Sequence, residues 1–311
     1  MIDEKTIAQV RTGDLTTLVS LDEQGFLIGS TEDAETYANR LDGFLKKFKE
    51  LEAEGKKTGQ LVIEDETFDE KERIPQEIYD EAAIVNEELY SFKIDWVPGY
   101  FVTPQFGLLF GGCAYLFSPE FFSIFIIRNS FKTSPKWYIY NRQELMSHEL
   151  CHVARFAMGA DKYEEHFAYQ TSPSRFRKTS GSAMRSEIET YLLLGLCFGL
   201  LIVQAVQAFI FDITYWNTPL WQVPAIYIWL SFVFFLTYIV GRQVLLNRSF
   251  RVAQENLSKL TDKPRSIAFR CNDSEMDKIA KTKDLNLEKL KDIIESPIRY
   301  QVMTDRFCNK K

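Results

Sequence analysis

Apolar and polar positions alternate along this chain in several distinct rhythms, each predicting its own kind of element. Within residues 31–54, Tyr37, Leu41, Phe44, Phe48 and Leu51 recur at spacings of 4, 3, 4 and 3, which places them on one face of an α-helix. Such a face packs on its own domain or meets a coiled-coil partner. A second helix is expected at residues 76–89. Residues 15–29 hold two short apolar runs around Asp22-Glu23-Gln24-Gly25 and read as a hairpin of strands. Lys56, Lys57 and the acidic run 64–72 read as a solvated linker. Residues 106–117 and 120–131, rich in Phe, Leu and Ile and divided by Ser118-Pro119, predict two paired strands. The charged tail is expected to form short helices at 252–260, 274–282 and 285–295 before Pro297, and no chemistry is evident in it.

The longest apolar runs are residues 190–211 and 213–241, which contain no Asp, Glu, Lys or Arg and are separated by Asp212 alone. Each is as long as the roughly 20 residues a bilayer-spanning helix needs. Between them, Tyr215, Trp216, Pro219 and Trp221 suit a short turn at a membrane interface. Arg175, Arg177, Lys178 and Arg185 precede the first run, Arg242, Arg248 and Arg251 follow the second, and the connector has no basic residue. That asymmetry predicts a transmembrane hairpin with both flanks in the cytoplasm. A buried helical hairpin is the competing reading, but two uncharged runs in tandem are unusual in a soluble core. Gly195 and Gly199 form a GxxxG that suggests helix packing. The charged start, MIDEKTIAQVRTGD, lacks the apolar stretch of a secretory signal, so this segment is expected to remain on the cytoplasmic side.

Composition narrows the function classes. A net charge of −6 and a pI near 5.4 over 311 residues argue against a nucleic-acid partner, because a phosphate-tracking surface leaves an excess of Lys and Arg. The five cysteines, Cys113, Cys151, Cys197, Cys271 and Cys308, are far apart and form no CxxC pair, as free thiols in a reducing compartment do.

Chemistry concentrates in one place. The chain's three histidines, His148, His152 and His166, fall in a 19-residue window. Asn141 with Glu144 makes a capping-box-like helix start, and Gly159 is a natural stop. On that helix His148 and His152 stand one turn apart, so both imidazoles project from one face and can share a metal ion. Glu149 beside them completes HExxH, the pattern in which a zinc ion activates water and the carboxylate accepts the water's proton. A catalytic zinc needs a third protein ligand, and Glu164, Glu165 and His166 are the candidates at the start of a second helix. Cys151 points off the metal face and reads as a small buried residue. Tyr163, Tyr169 and Arg155 are candidates to stabilise an oxyanion, unranked by sequence.

At these residues the chain resembles the gluzincin metallopeptidases, in which the HExxH helix is followed by a second helix donating a glutamate, often within ExxAD or ExxSD. Glu165-His166-Phe167-Ala168-Tyr169 matches at the glutamate and the alanine. The resemblance, which covers roughly residues 106–169, implies Glu165 as third ligand and Zn2+ as the metal. Tyr169 departs from the family's aspartate, which orients a ligand histidine. The metzincin pattern HExxHxxGxxH is not met, because residues 155–158 contain neither its glycine nor its third histidine. In the zincin clan an edge strand lines the cleft and pairs with an extended substrate; the run 120–131 is placed either as that strand or as an interior one.

The expected fold is therefore α+β: a small zincin-like sheet, an HExxH helix and a second ligand helix, joined to a two-helix transmembrane hairpin. The expected parts are a cytosolic N-terminal extension (1–72), a metallopeptidase module (73–182), the hairpin (186–241) and a cytosolic helical segment (242–311). The expected activity is zinc-dependent endopeptidase action with Glu149 as general base and His148, His152 and Glu165 as ligands. Its substrates would be peptides or proteins near the cytosolic membrane face, with membrane lipid around the hairpin. The alternatives are an inactive zinc-binding membrane sensor or scaffold and a two-pass membrane adaptor without metal.

Overall fold

Three aspartates start the N-terminal helices. Asp3, Asp14 and Asp33 each accept the backbone N–H three residues on, opening α1 (Glu4–Arg11), α2 (Leu15–Glu23) and α3 (Ala34–Thr58), the usual role of an Asp N-cap. A computed structural model of the chain describes residues 2–63, 66–102, 110–118, 121–209 and 219–308. After α3 come β1 (Gln60–Ile63), β2 (Glu66–Asp69), α4 (Gln76–Tyr90), β3 (Gly99–Val102), β4 (Gly112–Phe117) and β5 (Phe122–Arg128). The short strands β6 (Lys136–Trp137) and β7 (Tyr140–Asn141) lead into α5 (Arg142–Arg155) and α6 (Glu164–Tyr169). Helices α7 (Arg175–Ser180), α8 (Glu187–Phe209), α9 (Pro219–Leu257), α10 (Pro264–Phe269), α11 (Asp273–Lys281), α12 (Leu287–Ile293) and α13 (Pro297–Phe307) complete the order.

The mixed helix-and-sheet class expected from the sequence is observed, and so are α3, α4 and α5 at their expected places. All five residues of the predicted α3 face are buried, packing on their own domain. Two expectations fail. Residues 15–23 are helical, because the Asp14 cap and the Leu18 and Leu21 pair, three apart and both buried, favour a helical turn over strand alternation. The apparent turn residue Asp22 is itself buried, and Gly25 at φ 81° ends the helix. The stretch read as a linker holds β1 and β2, an antiparallel pair that buries Leu61, Ile63 and Phe68; Glu64 and Asp65 lie outside the described residues.

The main sheet has the order β3-β5-β4, with β3 parallel and β4 antiparallel to β5. The run 120–131 thus supplies the central strand, and β4 is an edge among the described residues. Every residue of β5 is buried, which explains why its sequence shows no polar alternation. One face of the sheet meets α3 through Phe44, Phe48 and Phe122, with ring centroids 6.2 and 6.5 Å apart. The other face meets α5: a Cβ at Gly112 would lie 3.0 Å from Leu145 and 2.7 Å from the carbonyl oxygen of Ile126, so that close approach requires glycine. Helix α4 lies against α5, where Arg142 pairs with Glu81 at 2.8 Å and Ser147 donates to the Ala82 carbonyl at 3.2 Å. The first four residues of the predicted strand 106–117 lie outside the described residues.

The described chain divides into two compact units, Met1–Pro173 with Ser249–Lys311, and Ser174–Arg248. In the first, the chain's two ends share a buried ion cluster. Arg270 donates to Asp22 at 2.8 Å and to the carbonyls of Tyr90 and Ser266, and Arg306 pairs with the same Asp22. The second unit contains α7, α8 and most of α9. Residues Ile188–Val206 and Ile226–Leu257 are long and apolar enough to cross a membrane. Their side chains face outward, with Ile188 77% and Phe234 76% exposed, unlike the core helix of a soluble protein. Arg242 holds their polar ends together, pairing with Glu189 and donating to the Ala183 carbonyl at 2.6 Å. The connector expected around Asp212, Tyr215 and Trp216 lies outside the described residues, while Pro219 opens α9.

Because Asp22 neutralises two buried guanidinium groups, Asp22→Asn is expected to destabilise the first unit by about 3–5 kcal/mol. Urea unfolding in detergent, followed by tryptophan fluorescence, measures this; an unchanged midpoint would show that the cluster is not structurally important.

Candidate metal centre

Helix α5 is built to present one polar face. Asn141 accepts the Glu144 N–H at 3.2 Å, and Gly159, at φ 58°, turns the chain after the short 3-10 turn Phe156–Met158. Met146, Leu150, Cys151, Val153 and Ala154 are buried, leaving His148, Glu149 and His152 half-buried on the other side. Cys151 is fully buried with its Sγ 3.8 Å from Asn86 Oδ1, a packing residue as its helical position predicts.

The turn after Gly159 brings α6 back to that polar face. The His148 and His152 Nε2 atoms are 3.3 Å apart, and the two Glu165 oxygens lie 3.5 Å from one Nε2 each. His148, His152 and Glu165 offer ligand atoms all within 4.8 Å of one another, a group that can hold a metal ion. The other two candidates for third ligand have other positions. Glu164 is 3.2 Å from His152 Nδ1 and accepts from Arg155 Nε at 2.7 Å. His166 is 3% exposed, with its ring 4.3 Å from Phe250 and its Nε2 3.4 Å from Gln170.

Glu164, rather than the residue at position 169, is the group in contact with His152 Nδ1. With Nδ1–H donated to Glu164, His152 turns its Nε2 lone pair toward the other ligand atoms, as in carboxylate–histidine–metal arrangements. Tyr169 packs edge-on against His148, centroids 4.7 Å apart. Of the three oxyanion candidates, Arg155 is 1% exposed and engaged by Glu164 and by the carbonyls of Phe269 and Cys271. Tyr163 is fully buried, with its hydroxyl 2.7 Å from both Ser249 and Asp277. Tyr169 alone among them borders the cluster.

Glu149 is held from the sheet: its Oε2 accepts the Ala114 N–H of β4 at 3.1 Å. No spacing rule signals this contact, because the donor is a backbone group. Arg155 was signalled as an oxyanion candidate, and its place behind Glu164 was not legible from spacing.

Burial shapes the protonation of the cluster. It pushes Glu149 up to about 7, against the opposing pull of His152 and the Ala114 N–H. It drives His148 down to about 3, helped by the charge of His152. Burial also opposes charge on His152, but the hydrogen bond and charge of Glu164, with Glu149 and Glu165, outweigh it and raise that imidazole to about 9. Burial pushes Glu165 up. Glu164 is lowered despite burial, by the charge of Arg155 and by His152.

No family model, curated protein or solved structure matches the chain. The functional reading therefore rests on the residues and their geometry.

A metal taken up by this cluster must displace the proton on His152. That imidazole is protonated below about pH 9, so metal affinity should rise as pH rises toward 9 and fall as pH falls. The expected slope is about tenfold per pH unit, with about one proton released near pH 7. Titration calorimetry in buffers of different ionisation enthalpy counts that proton, and a pH-independent affinity between pH 6 and 8 would contradict the assignment.

Proposed function

We propose that the chain is a membrane-anchored zinc endopeptidase of gluzincin type. The observation that carries this reading is the spacing of the donor atoms. Ligands at ~2.0–2.1 Å from a tetrahedral zinc stand roughly 3.3–3.4 Å from one another. Here the two Nε2 atoms are 3.3 Å apart, each has a different Glu165 oxygen at 3.5 Å, and one ligand atom from each of the three residues lies within 4.8 Å of the others; the donors are two imidazole nitrogens and a carboxylate, a set suited to zinc. Three protein ligands leave a fourth position open, as a catalytic site requires.

When bound, zinc supplies Lewis acidity toward a water molecule and a substrate carbonyl. Glu149 takes the water's proton. Its elevated pKa, about 7, matches a base that must accept a proton near neutrality and pass it to the leaving amine. The Ala114 N–H fixes one carboxylate oxygen, leaving the other for the water. Tyr169, against His148, is the group best placed to contact the carbonyl oxygen. The Glu164 contact also weakens the case for an inactive zinc-binding sensor or scaffold, which rested on the missing aspartate at position 169.

Peptide is the substrate class that the neighbouring strand favours. Arg128 N–H donates to the Gly111 carbonyl at 2.9 Å, and with the antiparallel register the alternation turns the N–H and C=O groups of Gly112 and Leu116 and the C=O of Ala114 away from β5, the Ala114 N–H being taken by Glu149. An extended peptide can pair with such an edge through its backbone, with little demand on side chains. The two apolar helices and their basic flanks support a two-pass topology with the site and both flanks cytoplasmic. Substrates are then peptides or proteins at that membrane face, with no nucleic-acid partner.

Glu149→Gln should retain zinc while losing about 10²–10⁴-fold in kcat on casein or a peptide library; His148→Ala should lose both zinc and activity. Wild-type turnover by the Glu149 variant would sink the mechanism. A wild-type protein with one zinc and no peptidase activity would favour the sensor or scaffold, and one with no zinc the membrane adaptor.

A further inference from the structure

The loop that brings Glu164 and Glu165 to the histidines is held from far along the chain. Asp273 Oδ2 accepts the backbone N–H groups of Asp161 and Lys162, each at 2.8 Å, and its Oδ1 accepts that of Tyr163 at 3.1 Å. These are the three residues immediately before α6. Asp273 is free for this task because α11 has its own cap: Asn272 accepts the Glu275 N–H and Glu275 returns a bond to the Asn272 N–H, both at 2.9 Å. One turn further on, Asp277 accepts from Lys162 Nζ at 2.6 Å and from the Tyr163 hydroxyl at 2.7 Å. The same segment receives Arg155, whose guanidinium donates to the Phe269 and Cys271 carbonyls while gripping Glu164.

We propose that the C-terminal segment Phe269–Asp277 is a working part of the metal centre, with Asp273 and Arg155 as positioning residues that set the affinity and geometry of the metal. The proposal rests on the metal reading of His148, His152 and Glu165. Its physical basis is the number of hydrogen bonds that converge on a short stretch. Three successive amides fixed by one carboxylate leave the entry to α6 little freedom, and the Arg155–Glu164 pair fixes the first residue of the helix itself. Glu165 and the orienting Glu164 on α6 then inherit their place from α11 and the segment of chain before it. Releasing the amides lets α6 drift, and a ligand displaced by a fraction of an ångström loses affinity because the two histidines, on the separate helix α5, cannot follow it.

The experiment uses the full chain purified in detergent, with Zn2+ measured by competition against a chromophoric chelator and Co2+ as a spectroscopic probe of coordination. Asp273→Ala should weaken zinc binding 10–100-fold and change the Co2+ d–d spectrum, and Asp273→Asn, which keeps one acceptor oxygen, should recover part of both. Arg155→Lys keeps the charge but cannot reach Glu164 and both carbonyls at once, so it should also weaken binding and alter the spectrum, and it serves as the second variant if Asp273→Ala does not fold. Tyr100→Phe, which removes a buried hydroxyl donated to Glu70 at 2.6 Å outside this network, should lower the unfolding midpoint yet leave affinity and spectrum as in the wild type. Wild-type zinc affinity and Co2+ spectrum in folded Asp273 and Arg155 variants, with binding lost in His148→Ala, would overturn the proposal alone. Absence of metal binding in the wild type would overturn the metal reading beneath it.

Discussion

The carboxylate of Glu164, shared between His152 and Arg155, is the contact on which the arrangement of this site depends. One oxygen meets the imidazole Nδ1 and the other the Arg155 Nε. Arg155 is a buried guanidinium, and a buried charge is tolerated only where it is paired and hydrogen-bonded. Glu164 supplies the pairing, and in doing so it fixes the tautomer and tilt of His152. Because Glu164 is the first residue of α6, the same contact fixes the rotation of that helix. Its neighbour Glu165 then points to the two Nε2 atoms, about 100° round the helix from Glu164. Ligand geometry and the neutralisation of a buried arginine are thus one structural problem with a single solution.

That solution draws in parts of the chain remote in sequence. Arg155 needs acceptors for its remaining N–H groups, and the Phe269 and Cys271 carbonyls provide two. Those residues are held by Arg270, which reaches Asp22 near the N-terminus and the Tyr90 carbonyl at the end of α4. Phe269 stacks on Tyr90 at 4.1 Å, and the Tyr90 hydroxyl donates to the Phe167 carbonyl of α6 at 2.7 Å. Both ends of the chain therefore contribute to the unit containing the cluster, and the sheet contributes through the Ala114 amide.

Elements governed by local periodicity were legible in the sequence. The face of α3, the caps of α5 and the two apolar helices follow from spacing and composition, which act over a few turns of chain. The HExxH triplet was legible for the same reason: two histidines four apart on a helix must share a face. The candidates for a third ligand were not separable by spacing, since Glu164, Glu165 and His166 all lie within one turn, and only the resemblance favoured Glu165. What divides them is tertiary: Arg155 claims Glu164, and Phe250 packs against His166. Residues 15–29 misread because a nine-residue helix with two core positions resembles a short strand when its cap is overlooked. The Asp273 contacts were invisible because their acceptor and donors are over a hundred residues apart, and the donors are backbone amides that carry no residue identity.

The protonation pattern of the cluster follows from burial and from carboxylates crowded around two imidazoles. Glu149, Glu164 and Glu165 gather around two imidazoles, and only one of the three, Glu164, has a guanidinium in contact. The surplus of negative charge raises His152 to about 9 while burial drives His148 down to about 3. At neutral pH a proton on His152 thus offsets part of that surplus, and the second imidazole stays neutral with its lone pair available. A divalent cation at the Nε2 atoms would replace that proton, satisfy Glu165 and relieve the repulsion that, together with burial, lifts Glu149. With the cation in place Glu149 would remain the one carboxylate neither paired with arginine nor serving as a ligand, held to the sheet by a single amide and able to accept a proton. The crowding of carboxylates that raises both Glu149 and His152 is stable in a folded protein because the Arg155 network holds the crowd together from behind.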